Sequence, residues 1–185
     1  MIAIIFQTIE YSYHNLEELF VHAKEISQKE NINANSKLYV VNDEIVFKMY
    51  LPETKEYLRN LNNLFIIREI QELKKIEELV LPTALIKLNK NVIGYFMPYI
   101  KGKSLCNYLL DLSVDNKQKL YVFTQLAKVI EWLPSGIHIG DLHANNIIVD
   151  QHNKIHLIDI DGFSIDGGEQ LSVPTPLPYV VGKYC

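Results

Sequence analysis

The sequence is short of the residues that staple small proteins or grip nucleic acids. It has two cysteines among 185 residues, Cys106 and Cys185, too few for a disulfide framework or a cysteine-rich zinc site. Lys and Arg number 18 against 22 Asp and Glu, a formal net charge of −4. No basic surplus is available to neutralise a phosphate backbone, so a nucleic-acid partner is not expected. Long apolar runs are absent as well. The opening run from Met1 to Phe6 has no basic lead and is too short for a signal segment or a membrane span. A soluble cytoplasmic domain with no membrane partner is the expectation. Repeats and low-complexity tracts are also missing. What remains is ordinary globular material, 48% hydrophobic and 22% charged, enough for a core in one domain or two small lobes.

Periodicity orders that material. A strand is expected over Ile2–Ile9, then a helix over about Asn15–Lys29 with Leu16, Leu19, Phe20, Ala23 and Ile26 at helical spacing. Lys37–Val41 and Ile45–Tyr50 read as a hairpin turning at Asn42-Asp43, ended by Pro52. The longest helix is expected over Lys55–Leu79, with Leu58, Leu61, Phe65, Ile66, Ile70, Leu73 and Ile76 on one broad face. A second hairpin joins Thr83–Leu88 to Val92–Met97, and Pro98–Lys103 reads as a connector. Leu105–Leu110 is a short helix. A longer one, capped by Ser113 or Asp115, runs to about Trp132, with Leu126, Ile130 and Trp132 as core. Cys106 reads as a small buried hydrophobe. Ile147–Val149 and Lys154–Ile158 form a third hairpin, and the tail from Gly167 is punctuated by Gly and Pro. The order of elements implies an α+β arrangement of two lobes.

Two segments carry chemistry. In Ile45-Val-Phe-Lys48-Met-Tyr50 a lysine interrupts an apolar strand, and an ammonium there needs an anionic partner. Alternation places Val46 and Lys48 on one face, Ile45 and Phe47 on the other. The second segment is Asp141-Leu-His143-Ala-Asn-Asn146, followed after a hairpin by Ile158-Asp159-Ile160-Asp161-Gly162. Its oxygen-bearing side chains sit on loops flanking the hairpin, the donor type that Mg²⁺ prefers. If local alternation persists, Asp159 and Asp161 face the same way. Asp161 is then either a metal ligand or a turn acceptor before Gly162.

These residues together resemble the protein-kinase-like superfamily over about residues 36–165. The resemblance implies a two-lobed protein-kinase-like fold with a reduced C-lobe. An N-lobe spans 1–97, with its long helix carrying Glu69; a hinge spans 98–103; and a minimal C-lobe spans 104–185. It implies that Asp141 is the catalytic base, that Asn146 and Asp159 hold Mg²⁺ or Mn²⁺, and that Lys48 orients the phosphates of ATP. Glu69 then pairs with Lys48, with Glu72 as rival. The hinge at Met97-Pro98-Tyr99-Ile100 reads adenine between apolar walls drawn from Val46, Ile86 and Met97. The implied activity is transfer of the γ-phosphoryl of ATP to a hydroxyl, foremost on protein Ser/Thr.

Three departures from the pattern bear on that activity. Asn33-Ala-Asn-Ser-Lys37 stands where a glycine-rich loop is usual, and Asn and Ser approach phosphates less closely than glycine does. Ile139 stands where His or Arg is frequent. His143 replaces a phosphate-contacting lysine, as in aminoglycoside phosphotransferases. A small-molecule kinase and a nucleotide-binding, pseudokinase-like regulatory module are therefore the alternatives. Only about twenty residues follow Phe163, where kinase-like folds add several helices. Either the chain is truncated or minimal, or a partner or second copy covers the base of the C-lobe.

Overall fold

The computed structural model describes residues 7–26, 36–51, 55–140 and 142–165. The expected strand before Gln7, the loop at 31–35, Pro52 and the tail from Gly167 lie wholly or partly outside the described residues. The chain is an α+β protein that divides into two compact units. One comprises Met1–Asn62 with Leu81–Tyr99, the other Asn63–Val80 with Ile100–Cys185. Residues 63–80, Glu69 among them, thus group with the second unit rather than with the N-terminal strands.

The first unit contains β1 (Gln7–Tyr11), α1 (Tyr13–His22), β2 (Lys24–Glu25), β3 (Ser36–Val40), β4 (Ile45–Tyr50), the start of α2 (Lys55–Glu69), β5 (Ala84–Leu88) and β6 (Asn91–Pro98). Six strands form one sheet in the order β1-β5-β6-β4-β3-β2. Only the β1–β5 pair is parallel. The β5–β6 turn needs just two residues, because Asn89 (φ 51°) and Lys90 (φ 66°) both take left-handed backbone, as a tight hairpin requires. The β3–β4 turn is held by Asn42, whose Oδ1 accepts from the Glu44 N–H at 2.9 Å. Phe47, Ala84 and Ile86 form the core of one sheet face, against Leu16, Leu19 and Phe20 of α1 and Tyr39 and Phe96 of the sheet. Phe20 meets Tyr39 edge-on at 4.7 Å, and Phe47 meets Phe96 at 5.4 Å.

Helix α1 starts on Ser12, whose hydroxyl accepts from the Asn15 N–H. It stops at His22, earlier than periodicity predicts. Ala23 is extended, and Lys24 and Glu25 pair with Val40 and Tyr39 of β3. With no fully buried residue on the helix, strand pairing wins over its last expected turn.

Helix α2 is also shorter than expected. It ends at Glu69, and a 3-10 turn over Leu73–Lys75 follows. The expected stripe is misplaced too: Leu58, Phe65 and Ile66 are exposed, whereas Leu64 and Ile67 are buried together with Asn63. The chain after Ile76 is claimed by backbone pairing. The Leu157 N–H donates to the Glu78 carbonyl at 2.7 Å, and the Val80 N–H donates to the Leu157 carbonyl at 2.9 Å. A strand-like rung therefore replaces the last predicted turns of helix.

The second unit continues with β7 (Gly102–Ser104), α3 (Leu105–Leu110), α4 (Asn116–Trp132), β8 (Ile137–His138), β9 (Ile147–Asp150), β10 (Ile155–Leu157) and β11 (Ser164–Ile165). Part of the expected connector is thus a strand, with Gly102 opposite Asp150. A Cβ on Gly102 would stand 2.4 Å from the Val149 carbonyl oxygen, so β7 lies on β9 only because residue 102 is glycine. Ser104 caps α3. Asp115 and Gln118 cap α4 reciprocally. Val122, Leu126 and Val129 give α4 a buried stripe, but Ile130 and Trp132 are exposed, which corrects their expected place in the core. Cys106 is buried on α3 and is not a free thiol. Among the described residues, no helix is long and apolar enough to cross a membrane.

Candidate functional site

Lys48 owes its place to the register of the first unit's sheet. It lies opposite Tyr95 of β6 and Leu38 of β3, and only 5% of it is exposed. Its ammonium stands 5.9 Å and 5.8 Å from the ring centres of Tyr50 and Tyr95, where ring faces attract a cation. Tyr50 meets Tyr95 and Tyr57 edge-on, and the Tyr57 hydroxyl donates to the Val92 carbonyl at 2.6 Å. Burial raises the Tyr57 phenol above its ordinary pKa, so it remains a donor. Gly94 lets β6 lie this close, since a Cβ there would stand 2.0 Å from the Lys48 carbonyl oxygen.

The expected apolar walls divide. Val46 and Met97 are paired across β4 and β6, on the Lys48 face, and both are buried. Ile86 belongs to the Phe47 core on the opposite face. Leu85, paired with Tyr95, occupies the position on the Lys48 face that was expected of Ile86. Tyr99 is half-buried, and its N–H donates to the Glu44 carbonyl at 2.7 Å. That N–H is therefore removed from the donors that could read a base.

The second unit places Asn146 and Asp159 at the two ends of the β9–β10 hairpin. Asn146 closes a 3-10 turn over Ala144–Asn146. Its backbone carbonyl accepts from the Ile158 N–H at 2.9 Å, which ties the residue before Asp159 to Asn146 itself. Asp159 is left-handed (φ 66°, ψ 39°) and precedes a 3-10 turn over Ile160–Gly162. For an L-residue this conformation costs about 1–2 kcal/mol, although Asp bears it better than most. The alternation expected of Asp159 and Asp161 therefore does not persist. Asp161 is fully buried within the turn, whereas Asp159 is half-buried at its start.

The remaining expected residues are placed as follows. The Nδ1 of His143 accepts from the Asn145 N–H at 3.2 Å, which leaves the proton of a neutral ring on Nε2. Glu69 ends α2 with its side chain 71% exposed, and the Arg68 Nε donates to it at 2.8 Å. Its rival Glu72 is exposed as well. Asp141 lies outside the described residues. Among the described residues no three His, Cys, Asp or Glu side chains converge as a metal cluster. An amide oxygen from Asn146 and a carboxylate from Asp159 are nonetheless hard donors of the kind that suits Mg²⁺, so the donor chemistry fits that ion.

Three supporting features were not anticipated. The side chain of Gln125 on α4 bridges the hairpin, its Nε2 donating to the Asn153 carbonyl at 2.6 Å and its Oε1 accepting from the Ile155 N–H. The Tyr108 hydroxyl donates to the Asn153 Oδ1 at 2.7 Å, so left-handed Asn153 is pinned from both helices. The second feature is Asp150, which stands 3.0 Å from the His156 Nε2 and accepts from the His152 and Lys154 N–H groups. Burial opposes ionisation of its carboxyl, but these donors together hold it below its ordinary pKa. Third, Asn63 on α2 donates from Nδ2 to the carbonyls of Asp161 at 2.9 Å and Phe163 at 2.8 Å. A polar residue at a buried helical phase, such as Asn63 beside Leu64, was the available signal, but the misplaced stripe of α2 concealed it.

No protein-family model matches the sequence, and no curated protein matches it.

Proposed function

We propose that the chain is an ATP-dependent phosphotransferase with a protein-kinase-like fold, moving the γ-phosphoryl group to a hydroxyl, foremost on protein Ser/Thr. The observation that carries this reading is the left-handed Asp159, tied through Ile158 to Asn146. Asp159 takes this left-handed backbone one residue after the chain is tied to Asn146, and strain of this kind collects at functional sites. The buried lysine of the apolar strand supports the same reading, because the superfamily that the sequence resembles carries its phosphate-orienting lysine on such a strand.

In this reading the Lys48 ammonium orients the α- and β-phosphates, and Val46 and Met97 give the base an apolar seat. Asn146 and Asp159 hold Mg²⁺, which neutralises phosphate charge when bound. Asp141 accepts the proton of the acceptor hydroxyl as its oxygen bonds to the γ-phosphorus and ADP leaves. Glu69 would have to exchange Arg68 for Lys48 to serve as its tether. Buried Asp161 is read as a part of the turn rather than as a ligand.

One observation favours a small-molecule acceptor as the second reading. His143 stands where a phosphate-contacting lysine is usual, as in aminoglycoside phosphotransferases.

The test is transfer of label from γ-labelled ATP in Mg²⁺ or Mn²⁺, with the chain itself, a generic protein and a panel of small hydroxyl compounds as acceptors. Transfer to protein that Asp141→Asn abolishes is the expected result. Transfer confined to small acceptors would select the second reading. Absence of transfer to any acceptor, or transfer indifferent to Asp141→Asn, would overturn both.

A further inference from the structure

We propose that Asn63 is a positioning residue that selects the curled conformation of the segment after Asp159; its bearing on metal binding rests on the reading of Asp159 given above. Asn63 is 8% exposed and precedes the buried α2 positions Leu64 and Ile67. One nitrogen, Nδ2, serves two carbonyls, those of Asp161 and Phe163. Because both partners are acceptors, the amide must present its NH₂ group to them.

The shared nitrogen sets a geometric limit. The two carbonyl oxygens lie no more than 5.7 Å apart, the sum of the two hydrogen-bond lengths. In an extended chain, residues two apart are separated by about 6.6 Å, with their carbonyls pointing the same way. A single nitrogen therefore satisfies both carbonyls only when the chain is curled. The sequence Ile158-Asp-Ile-Asp161 alternates as a strand would, and extended backbone is its natural competitor. The Gly162 N–H donating to the Asp159 carbonyl at 3.2 Å and the Phe163 N–H donating to Ile160 at 3.0 Å belong to the curled form alone. Asn63 rewards that form from outside the turn, and the same turn begins on the left-handed Asp159.

No other small side chain substitutes simply. Aspartate has the same shape but offers no donor when ionised, and leucine would leave two buried carbonyls without their partner.

The experiment compares amide hydrogen exchange and Mn²⁺ affinity of the full chain with those of Asn63→Asp and Asn63→Gln. Losing both donors should speed exchange at Gly162 and Phe163 by about tenfold or more, leave Tyr95 in the other unit unchanged, and weaken Mn²⁺ binding by a similar factor. Asn63→Gln retains the NH₂ group and should recover most of both effects. Unchanged exchange at Gly162 and Phe163, or acceleration shared equally by the whole second unit, would overturn the proposal. If Asn63→Asp does not fold, Asn63→Ser with its single donor replaces it under the same two criteria. If the unmodified chain takes up no Mn²⁺ while exchange still rises at those two amides, the metal reading of Asp159 falls and the clamp stands.

Discussion

Lys48 and Asp159 are held in place by different kinds of structure. In the first unit, ladder register and ring packing fix the lysine, on a strand flanked by two others and with Tyr50 and Tyr95 beside its ammonium. In the second, Asp159 sits in irregular chain held by individual hydrogen bonds: Ile158 to Asn146, Asn63 to Asp161 and Phe163, and Gln125 to the hairpin. A sheet spreads the cost of one lost contact over many neighbours, whereas a turn depends on the few groups that satisfy its carbonyls. The two units should therefore fail differently, the first by steric intrusion and the second by loss of single polar groups.

The sharpest way to break the contrast is to crowd the sheet. Gly94→Ala places a Cβ 2.0 Å from the Lys48 carbonyl oxygen, a backbone atom that has nowhere to move without opening β4 from β6. A loss of about 3 kcal/mol or more is expected, read from urea unfolding midpoints. A loss below about 1 kcal/mol would show that this sheet yields locally after all. A smaller effect follows from Gln125→Ala, which removes both bonds to the β9–β10 hairpin. It should cost about 1–3 kcal/mol and speed exchange at Ile155 before the helix amides. Equal protection at Ile155 in both proteins would contradict the claim that single polar groups hold the second unit.

The smallest effect is that of acid. The folded pKa of Asp150 lies below its ordinary value, so the unfolded chain binds the proton more readily than the native one. Its contribution is complete above the ordinary carboxylate range and is lost as pH falls through the depressed folded value. Asp150→Asn should therefore lose less stability than the unmodified chain between neutral and acid pH, as measured by denaturant midpoints. Identical acid sensitivity would remove Asp150 from the account.

Much of the fold is written in periodicity, which reports burial on regular elements. All three hairpins, α3 and α4 lie within a residue or two of their expected bounds, and of the two cap candidates, Ser113 and Asp115, it is Asp115 that caps α4. Periodicity fails where one apolar phase competes with another. On α2 the apparent stripe through Leu58 and Ile66 faces out, and the phase through Leu64 and Ile67 faces in. After Ile76, pairing with β10 replaces helix, an outcome set by residues some 80 positions later. The site divides in the same way. The shared face of Lys48 and Val46 was legible because strands alternate. The turn at Asp159 was not, because the donors that curl it come from Asn63 and from the chain's own N–H groups, and neither leaves a periodic trace.

The most direct measurement is calorimetric titration of Mn²⁺·ATP into the unmodified chain, Lys48→Met and Asp159→Gly. Asp159→Gly accepts the left-handed backbone without a Cβ penalty, so the variant is expected to remain folded. The account predicts metal-dependent binding to the unmodified chain, lost in both variants although both remain folded. Binding unaffected by either substitution, or no binding to the unmodified chain, would contradict the roles proposed for Lys48 and Asp159.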